Sequence, residues 1–202
     1  MSNVDEKIAK LKLMKRMEKE KEEKSKEDVK EEKLPTVEEV MKQIEAGKVV
    51  INDKQFIFRK ASYLNGKMNI YHPIEFFREH AKNKDNIILV NDIRGISLNC
   101  SHVEKGMKYQ NIKQIKSGIE QNYKNMKMYL KWVEEGEMET KNAKVLYAAY
   151  KTPTAKGSLY NIVFYRNVKG EVIVGNYNCF DKDIKEWELL IKATIRLIEF
   201  NY

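Results

Sequence analysis

Residues 143–200 have the sequence AKVLYAAYKTPTAKGSLYNIVFYRNVKGEVIVGNYNCFDKDIKEWELLIKATIRLIEF, which has the clearest secondary-structure pattern in the chain. It begins with three runs rich in valine, isoleucine and aromatic residues, a composition that favours β-strands. The runs are residues 143–151, 158–167 and 171–179. Only residues 168–170 separate the last two runs, and so short a connection predicts antiparallel pairing. From Asp181 to about Phe200 the apolar residues recur at helical spacing instead, so we expect a helix to close the chain.

A second amphipathic helix is predicted ahead of these strands, over about residues 109–133. Its apolar residues share one helical face. They are Ile112, Ile115, Ile119, Met126, Leu130 and Val133. The closing helix has an equivalent stripe, made of Ile184, Trp187, Ile191, Thr194 and Ile198. Two such one-sided helices need sheet surface on which to bury their apolar stripes.

The preceding part of the chain predicts a short helix and several short strands. Thr36 and Glu39 form a Thr-x-x-Glu capping box in front of a helix that ends at Gly47. Asn52 and Asp53 are expected to form the turn of a β-hairpin. The short strands are predicted at residues 49–51, 55–60, 67–71, 86–90 and 95–100.

Residues 73–77 interrupt these strands with a predicted helical turn, which Pro73 initiates and which presents Phe76 and Phe77 to the core. The strands on either side are joined by tight turns and therefore pair antiparallel. The predicted fold class is α+β: an antiparallel β-sheet covered by two long amphipathic helices.

The charge of the chain is unevenly distributed. Its formal net charge is +8, yet residues 1–33 hold 11 basic and 10 acidic side chains, which leaves +7 on the rest. We expect residues 1–34 to form a charged, flexible or protruding helix, and residues 35–202 to form a single α+β domain. The sequence has no apolar stretch suited to a secretion signal or a membrane span, which favours a cytoplasmic location.

Three local features occur in the order found in a known superfamily. Residues 68–76 run from a strand into a proline and an aromatic turn, residues 95–98 are Gly-Ile-Ser-Leu, and residues 175–179, Gly-Asn-Tyr-Asn-Cys, precede Trp187 in the final helix. Over about residues 45–202 the chain resembles the superfamily that holds the photosystem II subunit PsbP, the lipoprotein DcrB and the Eag-type chaperones of secretion effectors. This resemblance implies a PsbP-like fold and a non-catalytic adaptor or chaperone role, without supplying binding residues.

The histidines do not suggest an active site. His72 precedes Pro73 in a turn, and His80 is expected at the exposed end of a short helix. His102 shares a strand with Cys100, but the pair lacks the third group that activation of a nucleophile usually requires.

The other titratable residues likewise favour structural roles. Four glutamates, Glu134, Glu135, Glu137 and Glu139, are expected in a solvated loop around Gly136, where nothing would raise a carboxyl pKa. Cys100 and Cys179 are expected to be buried, reduced thiols. No phosphate, dinucleotide or zinc-hydrolase motif occurs, so we predict that the protein is not an enzyme and uses no cofactor or metal.

The segment from Lys105 to Lys131 is strongly basic, with Glu104 and Glu120 as its acidic residues. Its lysines lie on the flank and back of the predicted helix, so the charged and buried faces are separated. An ordinary solvated helix face explains this pattern, and so does an anionic docking surface with tyrosines for stacking. The candidate docking residues are Lys108, Lys113, Lys116, Lys124, Lys127, Lys131, Tyr109 and Tyr123.

Two functions therefore follow from the sequence. The first is a non-catalytic cytoplasmic adaptor or chaperone-like module, in which the sheet or a groove beside it binds a segment of a partner protein. The alternative is a basic-surface binder of nucleic acid or anionic membrane through residues 105–131. The scarcity of arginine in the domain weakens the nucleic-acid version, because bidentate and stacked recognition usually uses arginine.

Deleting residues 1–33 should leave the domain folded, because their few apolar side chains cannot offset an ordering cost of ~1–2 kcal/mol per residue. Trp187→Ala, on the stripe of the closing helix, should instead cost roughly 3–5 kcal/mol. Thermal unfolding of the two variants compares them. A truncation that lowers the midpoint as much as Trp187→Ala would show that the N-terminal segment packs on the domain.

Overall fold

The computed structural model describes residues 35–51, 54–105, 111–155, 157–168 and 170–201. The predicted N-terminal helix, the turn at Asn52 and Asp53, and the candidate docking residues Lys108 and Tyr109 lie outside the described residues. The α-helices of the described part are α1 (Val37–Glu45), α2 (Ile112–Asn125) and α3 (Ile184–Arg196). The strands are β1 (Lys48–Ile51), β2 (Lys54–Tyr63), β3 (Met68–Pro73), β4 (Arg78–Lys82), β5 (Asn86–Asn91), β6 (Ile96–Val103), β7 (Lys131–Glu139), β8 (Lys144–Thr154), β9 (Gly157–Val168), β10 (Glu171–Phe180) and β11 (Glu199–Phe200).

The described strands pair antiparallel, as predicted, but they form two sheets rather than one. A small sheet has the order β1-β2-β3-β11, and a large sheet has the order β4-β5-β6-β10-β9-β8-β7. Strands β10, β9 and β8 are neighbours in the large sheet and correspond to the three runs that predicted it. The α+β class and the antiparallel pairing are thus confirmed.

The large sheet buries side chains on both faces. On one face, Phe164 and Ile162 join α1, α3 and the small sheet in the main core, where Trp187 is only 2% exposed. On the other face, α2 packs through Ile115 and Ile119 against side chains of β8, β9 and β10. The sheet is therefore the middle layer, and the helices cover it from opposite sides.

Helix α1 begins with the predicted capping box. The side chain of Thr36 accepts a hydrogen bond from the backbone N–H of Glu39 at 3.2 Å, and the carboxylate of Glu39 accepts one from the N–H of Thr36 at 2.8 Å. The chain leaves the helix through Gly47, whose φ of +85° suits glycine.

The prediction of two long helices is wrong. The longest described helix is α2, with 14 residues, and it ends at Asn125 rather than Val133. The N–H of Met128 donates to the carbonyl of Tyr123 at 2.8 Å, and that of Lys127 donates to Lys124 at 2.9 Å, which is the Schellman arrangement. Lys127 takes the left-handed position of this motif with φ +55°, so no glycine marks the helix end in the sequence.

The closing helix also ends earlier than predicted. Helix α3 stops at Arg196, and Glu199–Phe200 form β11, which pairs with β3 of the small sheet. Within the helix, the predicted burial of Trp187, Ile191 and Thr194 is confirmed. The chain after α3 leaves the helix because its backbone completes an edge of the small sheet.

The predicted helical turn at residues 73–77 is wrong. The N–H of Ile74 donates to the carbonyl of Ile57 at 2.7 Å, so the chain stays bonded to β2 beyond Pro73. Glu75 then adopts φ +56°, which reverses the chain into β4. His80 consequently lies on an exposed strand instead of a helix end.

The predicted glutamate loop around Gly136 is also wrong, because these residues form β7 at the edge of the large sheet. Strand β7 pairs with β8 from Lys131 opposite Lys151 to Glu139 opposite Lys144. The ion pair of Glu139 with Lys144, at 3.1 Å, supports this register across the strands.

Gly175→Ala should destabilise the protein by about 1–3 kcal/mol, because a Cβ at this position of β10 would lie 1.9 Å from the ring of Phe164. Gly136→Ala on β7 is the matched control, since its Cβ would meet only Tyr147, at 3.4 Å. Denaturant unfolding measures both variants. Equal stability of the Gly175→Ala variant and the wild type would contradict the close packing of Phe164 on β10.

Candidate binding surfaces

The structure divides the predicted docking surface among three elements. Lys113, Lys116 and Lys124 lie on α2, Lys127 lies in the connection that follows, and Lys131 is the first residue of β7. The described lysines of this set are exposed, apart from the half-buried Lys116. The basic surface therefore follows a helix and the bend after it, and not one continuous helical face.

Lys116 is engaged within the protein. Its Nζ forms a close ion pair with Glu135 of β7 and lies 4.7 Å from the centroid of the Trp132 ring. Both contacts join α2 to the edge of the large sheet. The ion pair offsets the charge of Lys116, so this lysine adds little positive charge to the predicted docking surface.

Tyr123 is half-buried, and its ring makes an edge contact with Tyr150, with centroids 5.7 Å apart. Trp132 packs against the same tyrosine at 5.3 Å, and its indole N–H donates to the carboxylate of Glu120 at 2.6 Å. Burial, together with the neighbouring Tyr123, raises the pKa of the Tyr150 hydroxyl. The aromatic rings beside the basic residues thus help to fix α2 on the sheet.

Seven of the nine large apolar side chains exposed in the described residues form two groups. One group is Ile57, Ile74 and Ile93, which line a cleft of about 650 Å³ that we call the isoleucine cleft. The other lies between α2 and β7, in residues 126–133, beside a second cleft of about 420 Å³. Contiguous exposed apolar surface of this kind marks interaction sites more often than scattered apolar residues do.

The isoleucine cleft is built from β2, the connection between β3 and β4, and the turn between β5 and β6. Asn91 braces the latter turn: its side-chain oxygen accepts the N–H of Arg94 at 2.9 Å, and its side-chain nitrogen donates to the carbonyl of Phe76 at 2.7 Å. Ile93, between these anchors, is 95% exposed.

Aromatic rings support the cleft from below. Phe76 packs edge-on against Phe56 at 5.8 Å and lies 5.4 Å from Trp187. Phe56 in turn contacts Trp187 at 6.0 Å. Phe56 and Phe76 also line the cleft, so these ring contacts connect its wall to the core.

His72 is buried and fully bonded. Its Nδ1 lies 3.2 Å from the carbonyl oxygen of Pro73, and its Nε2 lies 3.0 Å from the hydroxyl of Tyr63. A carbonyl only accepts, so Nδ1 carries the proton and Nε2 accepts from the tyrosine. Burial lowers the pKa of His72 and raises the pKa of Tyr63 to about 12.

His102 lies between two carboxylates. Its ring nitrogens are 3.4 Å from Asp85 and 3.1 Å from Glu171, and Glu171 also forms a close ion pair with Lys67. The hydrogen bond from Lys67, followed by the one from His102, lowers the pKa of Glu171. The group joins β6, β10 and the turn after β2.

A third polar cluster connects α3 to β7. Lys192 pairs with Glu134 at 2.7 Å and with Glu188 at 2.8 Å, and the hydroxyl of the buried Tyr160 points at both carboxylates. Burial first, and then the two carboxylates, raise the pKa of Tyr160. Lys192 thus offsets one of the two carboxylate charges, and the hydroxyl of Tyr160 lies beside both carboxylates within the fold.

The cysteines are buried and unpaired, as predicted. Burial raises the pKa of both thiols, that of Cys179 to about 12. A thiol in this state is a poor nucleophile. Among the described residues, no three His, Cys, Asp or Glu side chains are placed to hold a metal ion.

The two antiparallel sheets and the helices packed on them give this chain the PsbP-like α+β fold, which confirms the predicted resemblance at the level of the fold. The solution structure of cyanobacterial PsbP (CyanoP) from Synechocystis matches it with a TM-score of 0.58 and 8% identity, over 71% of this chain and 92% of that one. The Saccharomyces cerevisiae Ran-binding protein Mog1p matches with a TM-score of 0.49 and 11% identity, over 72% and 96%. No protein-family model and no curated protein sequence matches the chain significantly.

None of the helices in the described ranges is both long and apolar enough to cross a bilayer.

The sequence did not reveal the isoleucine cleft. Ile57 lies in a predicted strand and Ile93 in a predicted turn, where isoleucine is usually buried or absent. The sequence signal that could have indicated it is Ile93 between Asp92 and Arg94, because an apolar residue contributes nothing to the local structure of a polar turn.

Acidification should destabilise the protein through His72. The pKa of His72 is lower in the folded protein than in the unfolded chain. Below about pH 6.5 the unfolded chain therefore binds a proton at this histidine that the folded protein does not bind. The free energy of unfolding falls as the pH drops from there through the pKa of His72 in the folded protein. His72→Asn should flatten the pH dependence of the unfolding free energy between about pH 7.5 and pH 5. The same substitution at the exposed His80 is the control and should leave that pH dependence unchanged. Urea titrations across this range measure the slope. An unchanged slope in the His72→Asn variant would contradict the assignment.

Proposed function

We propose that this protein is a non-catalytic, cytoplasmic adaptor or chaperone-like module that binds an apolar segment of a partner protein in the isoleucine cleft. The observation that carries the proposal is the exposure of Ile93 at the rim of a preformed cleft of about 650 Å³. Ile57 and Ile74 on the other side of the cleft are 43% and 39% exposed.

The exposed isoleucines leave apolar surface in contact with water in the isolated domain. Burying apolar surface is worth about 25 cal/mol per Å², so a partner that covers Ile93 and its neighbours recovers free energy that the isolated domain does not use. The braces from Asn91 to Arg94 and to Phe76 fix the turn before any partner arrives. A rigid site loses little conformational entropy on binding, which favours affinity.

The rim of the cleft is polar and of mixed charge. Lys54 is held by Glu186 at 2.8 Å, and Glu75 and Arg94 lie on the lining. An apolar centre with a polar rim is the usual arrangement of a protein interface. The matching partner segment has two or three apolar side chains flanked by polar residues of both charges.

The non-catalytic part of the proposal rests on how the titratable groups are used. His72 and His102 are held on both ring nitrogens, and Glu134 and Glu188 share an ion pair with Lys192. None of these groups lines the isoleucine cleft. A catalytic site needs such groups to converge on a pocket.

Replacing two exposed isoleucines of the cleft should weaken partner binding without unfolding the domain. Ile93→Ser combined with Ile74→Ser should raise the Kd for a captured partner at least ~30-fold, the effect of losing about 2 kcal/mol at an interface hot spot. Val103→Ser is the matched control, because Val103 is 43% exposed but lies at the end of β6, outside the cleft lining. Affinity capture from native lysate, followed by titration of the recovered protein, gives the measurement.

A stoichiometric partner that the double variant binds as well as the wild type does would place the interface elsewhere and overturn the proposal. Failure to recover any stoichiometric partner with the wild type would also count against it. Circular dichroism and thermal midpoints of the variants show whether the fold is retained.

A further inference from the structure

We propose that residues 124–133, the connection from α2 into β7, form a docking site for the surface of an anionic phospholipid bilayer. This inference goes beyond the proposed protein-binding function and uses a different surface. It rests on the juxtaposition of exposed apolar side chains with lysines that form no ion pair with any acidic residue the structure describes.

The apolar side chains are concentrated to an unusual degree. Of the nine large apolar residues exposed in the described ranges, four fall within residues 126–133. Tyr129 is 73% exposed and Met126 is 57% exposed, and Met128 and Val133 complete the group. Flexible methionines and an exposed tyrosine suit the boundary between headgroups and acyl chains, where an amphipathic side chain buries its apolar part and keeps its polar end wet.

The charge of the same segment is uniformly positive. Residues 121–133 contain Lys124, Lys127 and Lys131 and no Asp or Glu. The three lysines are exposed, and no ion pair joins them to a described acidic residue. They are therefore available to the phosphate and carboxylate groups of anionic lipids.

The nearest carboxylates in sequence are already used. Glu120 accepts the indole N–H of Trp132, Glu134 pairs with Lys192, and Glu135 pairs with Lys116. The two ion pairs offset part of the negative charge beside the lysines, whereas the hydrogen bond to Glu120 leaves its charge in place. The three lysines between these glutamates give the segment itself a positive potential.

Lys127 occupies a position that favours glycine. It has φ +55° at the left-handed residue of the Schellman motif that ends α2. A non-glycine residue there costs on the order of 1 kcal/mol of backbone strain. A lysine at this position lowers the stability of the fold, so its side chain is better explained by a role in binding than by a role in folding.

The segment suits a bilayer better than a nucleic acid. The rings of Tyr123 and Trp132 are packed on Tyr150, and Trp132 is also covered by Lys116, so they do not form an open stacking platform. Tyr129 is a single exposed ring, and the other exposed apolar side chains, Met126, Met128 and Val133, gain little from bases or phosphates but gain by insertion into an interface.

Sedimentation of the full chain with phosphatidylcholine vesicles, with and without phosphatidylserine, tests the proposal. Wild-type protein should bind the phosphatidylserine vesicles at low salt and release at high salt. The combination of Lys124→Gln, Lys127→Asn and Lys131→Gln should weaken the vesicle partition coefficient by roughly 100-fold, at about fivefold per lysine. The same charge change elsewhere, through Lys42→Gln, Lys48→Gln and Lys185→Gln, should alter it by no more than about twofold.

The apolar contribution is tested separately. Met126→Ser, Met128→Ser and Tyr129→Ser together should abolish vesicle binding while leaving the net charge unchanged. Lys127→Gly should weaken binding about fivefold and preserve or raise the thermal midpoint, because glycine relieves the left-handed strain. This variant separates a loss of binding from a loss of folding.

Several outcomes overturn the proposal. Wild-type protein that fails to sediment with phosphatidylserine vesicles at low salt excludes it, and so does binding that survives both the lysine and the serine substitutions. Retention on duplex DNA or RNA that depends on the three lysines, but not on Met126, Met128 and Tyr129, without vesicle binding, would assign the segment to nucleic acid instead. None of these results bears on the isoleucine cleft, so the two proposals fail independently.

Discussion

The close approach of Phe164 to Gly175 at the centre of the large sheet is the contact on which the rest of the structure depends. The Phe164 ring occupies the space where any other residue at position 175 would place a Cβ, which fixes the register of β9 against β10. A shift of one residue would turn every side chain of either strand to the opposite face. Because β6 pairs with β10 and β8 with β9, the same contact positions both halves of the sheet, and Phe164 is fully buried beneath α3 and the small sheet.

The two proposed binding surfaces lie in connections that this sheet holds rigidly. The isoleucine cleft uses the turn between β5 and β6, which Asn91 braces, and the bilayer-docking segment uses the connection after α2, which the Schellman hydrogen bonds close. Binding residues are commonly placed in this way, because a connection is free to carry side chains that the core does not need. Each surface also contains a non-glycine residue with positive φ, Glu75 in one and Lys127 in the other.

The sequence predicted what periodicity and composition determine, and missed what tertiary contacts determine. The runs that became β8, β9 and β10, the capping box at Thr36 and the burial of Trp187 were all predicted. The end of α2 was missed because Met126 and Leu130 continue the helical spacing, and because a lysine stands where a glycine would have marked the Schellman position. The isoleucine cleft was missed because isoleucine in a strand, such as Ile57, carries no sign of exposure, and because Ile93 in its polar turn indicates an exposed side chain but not the cleft that the assembled sheets form around it.

The sheet edges bear on how the proposed partner segment would be recognised. At β1, the side chain of Gln43 accepts the N–H of Val50 at 3.4 Å, and at β11 the side chain of Asn142 bonds both the N–H and the carbonyl of Phe200, at 3.0 and 2.9 Å. Edge strand β4 is mostly charged, and β7 carries four glutamates. Edges protected in these ways resist the addition of a further strand. Since each described edge strand is either rich in charge or has a backbone group bonded by a side chain, backbone pairing is disfavoured as a mode of recognition, and the proposed partner segment is better accommodated by side-chain contacts in the isoleucine cleft.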